Sequence, residues 1–551
     1  MSAKITKITT TLFLMFSGLI IAQQSLGNAF STTEKIVLHT NATTLVSGET
    51  LYYKLYCQDA QNKPGQLSKI AYVCLVDSQR NTVFIQKLYL ENGVAQGDFF
   101  VPSSLTSGSY KLVGYTKWMT GQPKVNYPQL DVAIVNPFAP ADKAGSELSF
   151  KTMRLSSAKA AIAPKKSSWA TREKVELGIS VPSKGHYSLS VRRKDSLFML
   201  FPEMSASAQN TFVLSESTVL PELRGESISG KVSSKSGNSV KGVTVSLSFP
   251  GKDFTTKVID TRPDGSFTFT LDKPYFQQDA IVQVGGANRQ DYLLVLDKLP
   301  QPDFSRFEFQ AFPVTASAKN AIAQRAVATQ IENAYFARKK DSIPAFASKS
   351  AFYAPSGTVF KLDEYTRFPT FAETLTEVVE GTFYTKNGDK YSVSVRENIL
   401  GYDPVGGSMV IVDGIWLPDP TELFDYPAKN IDRITAIPGT YYLGSQGFNG
   451  LVSVQTKDGN YEPKSKGDFI RNEKLPRPFP AKRYFAPDHA APTDRRIPDY
   501  RYQLAWIPDF SGDEPTIGFY ASDVKGVFEA VLEGVSEEGT PVFATAEFEV
   551  K

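Results

Sequence analysis

Three histidines and two cysteines are all the 551-residue chain offers of the side chains that do most acid–base, nucleophilic and metal chemistry. His39, His186 and His489 fall in three different regions. None has the setting of cysteine or carboxylate partners at short, defined spacing that metal sites and acid–base pairs use. The sequence contains no HExxH, no CxxC, no nucleophile elbow, no P-loop and no glycine dinucleotide fingerprint. Dispersed Asp and Glu could assemble a site without a local mark, but surface carboxylates on a β scaffold account for them. The expectation is a non-enzyme with no catalytic residues, no metal and no cofactor.

Cys57 and Cys74 lie in two apolar segments, Tyr52–Tyr56 and Ile70–Val76, that read as neighbouring strands of one sandwich. In an oxidising compartment a disulfide between them would contribute about 3 kcal/mol for a loop of this size. Two buried free thiols suit apolar strand positions equally well. Both readings stand at this level.

The elements that must position any site are strands. Aromatic residues make up 12% of the chain, and strand-length runs recur between turn signals, the pattern of stacked β-sandwiches. Lys35–His39, Thr50–Gln58, Lys69–Asp77, Val83–Leu90, Gly97–Val101 and Ser109–Tyr115 form a first set, with Asn92-Gly93 as a hairpin signal. A Pro-containing, Ala-rich stretch around Pro137–Ser146 reads as a linker. In Gly185–Arg192, Tyr187, Leu189 and Val191 alternate onto one face. A smaller module over 230–269 carries the Asp264-Gly265 turn. Helical signal is confined to about Ala316–Lys340, with Ile322, Val327, Ile331 and Tyr335 near one face, and to Phe371–Val379.

The N-terminus supplies the location. Lys4 and Lys7 precede an apolar run from Thr11 to Ala22, then small polar residues to Gly27, the order of a secretory signal. The run is well short of the roughly 20 residues of a membrane span. No later stretch qualifies as a spanning helix, so the expectation is an exported chain without its own transmembrane segment. With 60 basic against 57 acidic residues the net charge is +3, and the basic clusters are scattered, which argues against nucleic acid as a partner.

Residues 401–459 are the most specific stretch. Met409-Val-Ile-Val-Asp413-Gly414 is an apolar strand ending in a turn pair, followed by Ile415-Trp416. Asn430-Ile-Asp432-Arg433-Ile434, Tyr441-Tyr442-Leu-Gly444, Gly447-Phe-Asn449-Gly450 and Leu451–Lys457 follow in order. This succession resembles the plug domain of TonB-dependent outer-membrane receptors. A receptor barrel of 22 strands at about 10 residues each needs over 200 residues, whereas about 90 follow Gly459. The resemblance therefore implies a plug fold used without its own barrel, and transport is not carried over. Glu34–His39, Ser47–Lys54 and Leu105–Met119 look like the macroglobulin-type domain of Bacteroidota envelope proteins, and Gly230–Phe269 is similar to the carboxypeptidase-regulatory-like sandwich. The macroglobulin thioester motif, Cys-Gly-Glu-Gln, is absent, so covalent protease trapping is not implied.

The fold class expected is mainly β: a string of macroglobulin- or Ig-like β-sandwich domains with one α/β plug-like domain. The divisions are a signal peptide at 1–27, sandwiches at 28–140, 147–224 and 225–300, and a helical or linker segment at 301–380. The plug-like domain at 381–460, a Pro-rich connector at 461–495 and a last sandwich-like module at 496–551 complete the chain. The function expected is a scaffold or accessory subunit of an outer-membrane complex, on the periplasmic face, whose partner is a β-barrel protein. A freestanding periplasmic peptide- or protease-binding protein is the alternative. Trp416, Asp413, Tyr441, Tyr442 and Asn449 are the candidate binding residues, because Trp and Tyr dominate protein interfaces. For Trp118 and Trp506, which sit within strand patterns, core packing is the favoured role.

Overall fold

The computed structural model describes residues 33–121, 124–125, 127–139, 160–197, 212–213, 219–275, 277–299, 301–309, 318–344, 351–353, 356–396, 407–492 and 496–551. The expected signal segment at 1–27 and most of the expected linker at 137–146 lie outside the described residues. The chain is mainly β, and its segments gather into two compact units. One comprises Met1–Leu223, Gln301–Pro344 and Pro480–Lys551; the other comprises Arg224–Pro300 and Ala345–Phe479.

The first unit holds two sandwiches. In the first, Lys35–Thr40, Thr50–Gln58 and Val94–Phe100 form one antiparallel sheet. Thr44–Val46, Gln129–Val135, Gly108–Thr116, Ile70–Val76 and Thr82–Tyr89 form the other, in that order. All seven residues of Ile70–Val76 are buried, as a central strand covered on both faces must be. The strands read from the sequence recur here within a residue or two at most ends.

The second sandwich departs from expectation. Ala161–Pro164 and Lys174–Ser180 share a sheet with Thr516–Tyr520, and Gly185–Arg193 lies between Gln503–Phe510 and Gly526–Ser536. The stretches expected as separate modules, 147–224 and 496–551, thus interleave strand by strand into one domain. Tyr187, Leu189 and Val191 do point to one buried face. Leu532, Ala530 and Phe528 from the C-terminal stretch extend that face on the neighbouring strand. Val175, Leu177, Ile517 and Phe519 of the other sheet pack in the same core, where Trp169 meets Phe548 edge-on at 5.0 Å. Each stretch gives strands to both sheets, so among the described residues the two layers of the sandwich are completed only by the two stretches together.

The helix Lys319–Ala334 also belongs to the first unit. Its buried face is Ala321, Arg325, Ala326, Ala328 and Thr329. Of the expected line of large apolar side chains, Ile322 packs partly buried against the core and Ile331 is half-buried, but Val327 and Tyr335 turn outward. Val327 is 57% exposed and Tyr335 is also exposed. Small residues allow close approach, and Gly48 completes it. At φ +94° a Cβ on Gly48 would stand 2.6 Å from Thr329 Cγ2.

In the second unit, Ser266–Leu271, Glu226–Ser234 and Tyr292–Leu296 form one sheet. Thr255–Asp260, Thr244–Phe249, Asp279–Val284 and Ile470–Lys474 form another. The last of these comes from the stretch expected to be a connector. A mixed five-stranded sheet runs Thr358–Lys361, Ile431–Leu443, Gln446–Thr456, Met409–Val412, Ile415–Trp416. The short helix Phe371–Glu377, capped by the Thr370 hydroxyl, supplies Phe371 and Leu375 to its core. One continuous cluster joins Val245, Phe269 and Val282 of the sandwich to Val412, Ile434 and Val454 of the mixed sheet. The expected domains at 225–300 and 381–460 therefore share a core. The segment expected as one linker, 301–380, is divided between the two units.

Candidate binding sites

Four of the five candidate residues in the 401–459 stretch hold the second unit together. Asp413 is fully buried at φ 48°, in the turn the sequence indicates. Its carboxylate accepts from Thr456 N (2.8 Å), Thr456 Oγ1 (2.5 Å) and Tyr461 N (3.0 Å), which knots the strand turn to the chain leaving the sheet. Trp416 is 7% exposed. Its ring lies over Gly285, where no Cβ could fit, and meets Phe448 edge-on at 5.8 Å. Its carbonyl accepts from Gln283 Nε2 at 2.6 Å. The expectation of a Trp416 interface anchor is corrected, because the ring is already spent on the core. Tyr441 donates to the Phe352 carbonyl at 3.3 Å, and the half-buried Asn449 accepts through its carbonyl from Ser408 Oγ at 2.6 Å.

Tyr442 differs. It is 75% exposed, near the end of the hairpin formed by Ile431–Leu443 and Gln446–Thr456. That end is fixed from below. Gly444, at φ 62°, rests against the Val258 carbonyl, and Gln446 Nε2 donates to Asp260 Oδ1 at 2.8 Å.

Cys57 and Cys74 are buried free thiols on strands of different sheets in the first sandwich. The structure takes the second of the two open readings. Burial pushes the Cys74 thiol up to about 12, and burial together with the Glu34 carboxylate pushes Cys57 well above its ordinary value. Neither is a reactive nucleophile at neutral pH.

The histidines have partners that sequence spacing does not reveal. His489 Nε2 lies 2.8 Å from Asp499 Oδ2, and Arg501 grips the same carboxylate through Nε (2.7 Å to Oδ1) and Nη2 (2.8 Å to Oδ2). Burial alone would raise the Asp499 carboxyl, but Arg501 and His489 hold it well below the usual carboxylate range. His186 Nδ1 lies 3.1 Å from Asp509 Oδ1, whose other neighbour is the buried Lys54 ammonium at 3.0 Å. Each carboxylate is matched by a cation, which makes these structural ion clusters. Among the described residues no group of three or more His, Cys, Asp or Glu could hold a metal ion.

A cleft of about 580 Å³ opens in the first unit, a feature with no local sequence mark. Its walls come from 48–52, 98–100, 192, 329–341, 482–485 and 500–506. The Tyr52 ring stacks near Trp506 (6.1 Å, 21°) and meets Tyr484 edge-on (4.7 Å, 75°). Phe100, Phe336 and Tyr500, also lining residues, are 51%, 62% and 40% exposed. The lining cations are already matched: Arg192 with Glu49 (2.8 Å), Lys339 with Glu332 (2.7 Å), Lys482 with Asp98 (2.9 Å) and Arg501 with Asp499. Burial holds the Asp98 carboxyl above its ordinary value despite Lys482. Such a lining, aromatic and charge-balanced around one carboxyl raised by burial, has the make-up of a ligand site.

No family model matches the sequence, and no curated protein matches it. Among solved structures the chain aligns with bacterial alpha-2-macroglobulins. Against the native Escherichia coli protein, identity is 11% and the TM-score 0.24, covering 95% of this chain and 40% of that one. A Salmonella alpha-2-macroglobulin gives 9%, 0.24, 95% and 40%. A tandem-repeat region of a large adhesion protein gives 11% identity and a TM-score of 0.13. The chain spans about two fifths of the length of the macroglobulins it aligns with, and likenesses at these scores say nothing of what it binds.

Proposed function

We propose that this chain is a non-catalytic accessory subunit of an outer-membrane assembly, exported and acting from the periplasmic face. Its β-sandwiches and the plug-like sheet of the second unit serve as a scaffold, and its partner is a β-barrel protein. The observation that carries this reading is Tyr442, an exposed aromatic ring on a hairpin end that Gly444 and Gln446 hold in place. A ring carried on an anchored turn needs no ordering of the backbone on docking, which is what an interface anchor needs. The resemblance of 401–459 to a receptor plug, and the burial of Asp413 and Trp416 as parts of that sheet, are consistent with a plug-type fold used as a docking module. Pulldown of the tagged native protein in mild detergent is the test. An outer-membrane barrel should be recovered, and Tyr442→Ala should reduce its yield; a pulldown without any barrel sinks the proposal.

The second reading is a freestanding periplasmic binding protein that takes extended chains on a sheet edge. It is favoured by the strand Gln503–Phe510, the outer strand of its sheet, which borders the cleft. On osmotic shock such a protein leaves with the soluble fraction, whereas the subunit stays with membranes.

A further inference from the structure

We infer that the cleft of the first unit is a binding site for an extended, uncharged peptide segment carrying large apolar side chains, added to the free edge of Gln503–Phe510. The inference rests on the second reading's edge strand and names its occupant; it concerns a unit that does not contain Tyr442, so its failure is distinguishable from that of the barrel-docking proposal.

Four consecutive residues of that strand, Gln503, Leu504, Ala505 and Trp506, line the cleft. Side chains alternate between the two faces of a strand, so a cavity touching four in a row meets the strand edge-on, where the main chain is. Among the described residues the strand has a partner, Gly185–Arg193, on one side only. The Leu504 carbonyl accepts from Arg501 Nη1 at 2.7 Å, and the Ala505 carbonyl from Gln503 Nε2 at 2.7 Å. Successive carbonyls of a strand point to opposite edges, so one of these two acceptors faces the open side, where an incoming strand's N–H could replace the side chain that meets it. The four residues span about 13 Å of extended chain, and a cleft of 580 Å³ lies within the usual range of ligand sites.

The lining sets the chemistry of the occupant. Arg192, Lys339, Lys482 and Arg501 are each already engaged by a carboxylate, so an anionic ligand would have to break an existing pair, and the lining carboxylate of Asp341 already accepts from Phe485 N at 2.9 Å. Exposed rings at Phe100, Phe336 and Tyr500 offer apolar surface to side chains of the guest. Strand addition uses these elements together: main-chain hydrogen bonds along an edge and pockets for alternate side chains.

The test uses the mature chain and a fluorescein-labelled, capped pentapeptide of alternating threonine and phenylalanine, read by anisotropy. Saturable binding at micromolar concentration is expected. The same peptide with alternate backbone nitrogens methylated should bind about tenfold more weakly or not at all, because it cannot complete the ladder. Glutamate or lysine at the phenylalanine positions should have a similar effect. Phe336→Ser and Tyr500→Ser, at exposed positions that leave the fold intact by circular dichroism, should each weaken the parent peptide about fivefold. Equal binding of the methylated peptide, unchanged binding by both variants, or no peptide binding would overturn the inference. So would saturation by chitopentaose in place of the peptide.

Discussion

Arg325 and Asp195, 130 residues apart, form a two-point ion pair inside the first unit: Nε to Oδ2 at 2.6 Å and Nη2 to Oδ1 at 2.7 Å. The Arg325 side chain has no solvent contact, and its Nη1 also reaches the Thr44 carbonyl at 3.0 Å and Glu49 at 3.7 Å. Glu49 in turn binds Arg192 at 2.8 Å. Two cations and two carboxylates thus fasten the helix Lys319–Ala334 to both sandwiches of the unit. Burial would lower the Arg325 guanidinium, but Glu49 and Asp195 more than offset it.

Removing one member of such a cluster strands the others. Arg325→Ala is expected to cost about 3–5 kcal/mol, read as a shift of the urea transition of the first unit. Arg325→Lys should recover little, because an ammonium cannot make both contacts to Asp195. A loss below about 1 kcal/mol for Arg325→Ala would show that the cluster is not what holds the helix.

Trp416 and Tyr442 should separate stability from partner binding. Trp416→Ala opens a hole over Gly285 and is expected to destabilise the second unit by about 3–5 kcal/mol. Tyr442→Ala, at an exposed position, should change stability by less than about 0.5 kcal/mol while reducing barrel recovery. Thermal unfolding of both variants beside the pulldown checks the pair. A large stability loss from Tyr442→Ala would return that residue to a structural role.

The contrast between these two shows what the sequence does and does not disclose. The Asp413-Gly414 turn is legible because local backbone chemistry makes it: both residues take positive φ. Which side chains near it stay exposed depends on Gly285, Phe448 and Val258, from distant strands or the opposite arm of a hairpin. The alternation of Tyr187, Leu189 and Val191 is likewise local, and correct as to face. Its partners Gln503–Phe510 and Gly526–Ser536 lie over 300 residues on. Periodicity carries no information about that pairing, so one interleaved sandwich reads as two. The helix face fails for a related reason. Arg325 is an unlikely core residue until Asp195 and Glu49 are brought to it, and the apolar stripe drawn through Val327 and Tyr335 faces outward. The cleft is assembled from six separate stretches, none of which carries a motif.

His39 gives the first unit a specific acid sensitivity. It is enclosed against Trp506 at 5.2 Å, its Nδ1 lies 2.5 Å from Ser188 Oγ, and Glu533 stands 4.0 Å from Nε2. Burial lowers its pKa from 6.5 to about 3. The folded state therefore holds neutral imidazole where the unfolded chain binds a proton. The stability this preserves is complete above about pH 6.5 and falls as pH drops toward 3, levelling off below. The slope approaches about 1.4 kcal/mol per pH unit in the middle of that window. His39→Gln should flatten the dependence between pH 6 and 5, above the range in which the depressed carboxyls of Asp499 and Asp509 gain protons. An unchanged slope in urea titrations of His39→Gln across that interval would assign the acid sensitivity elsewhere.

Cys57 and Cys74 give the least ambiguous measurement, because oxidation state can be weighed. With both thiols buried, free and raised in pKa, the native protein should resist a maleimide at pH 7 and take up two equivalents once unfolded, without a reductant. The mass of the untreated chain should show no loss of two hydrogens. The pH dependence follows from the same shifts. A thiol whose pKa rises on folding favours the folded state least where the unfolded chain is ionised, so stability is complete below about pH 9 and declines as pH rises beyond it. Cys74→Ala should lessen that alkaline decline, and Cys57→Ala should do so too while relieving the thiol's contact with Glu34. A native protein that labels rapidly at one site, or one that is silent to maleimide even when unfolded, would contradict this arrangement. The first result would mean an accessible thiol, and the second a disulfide across the two sheets.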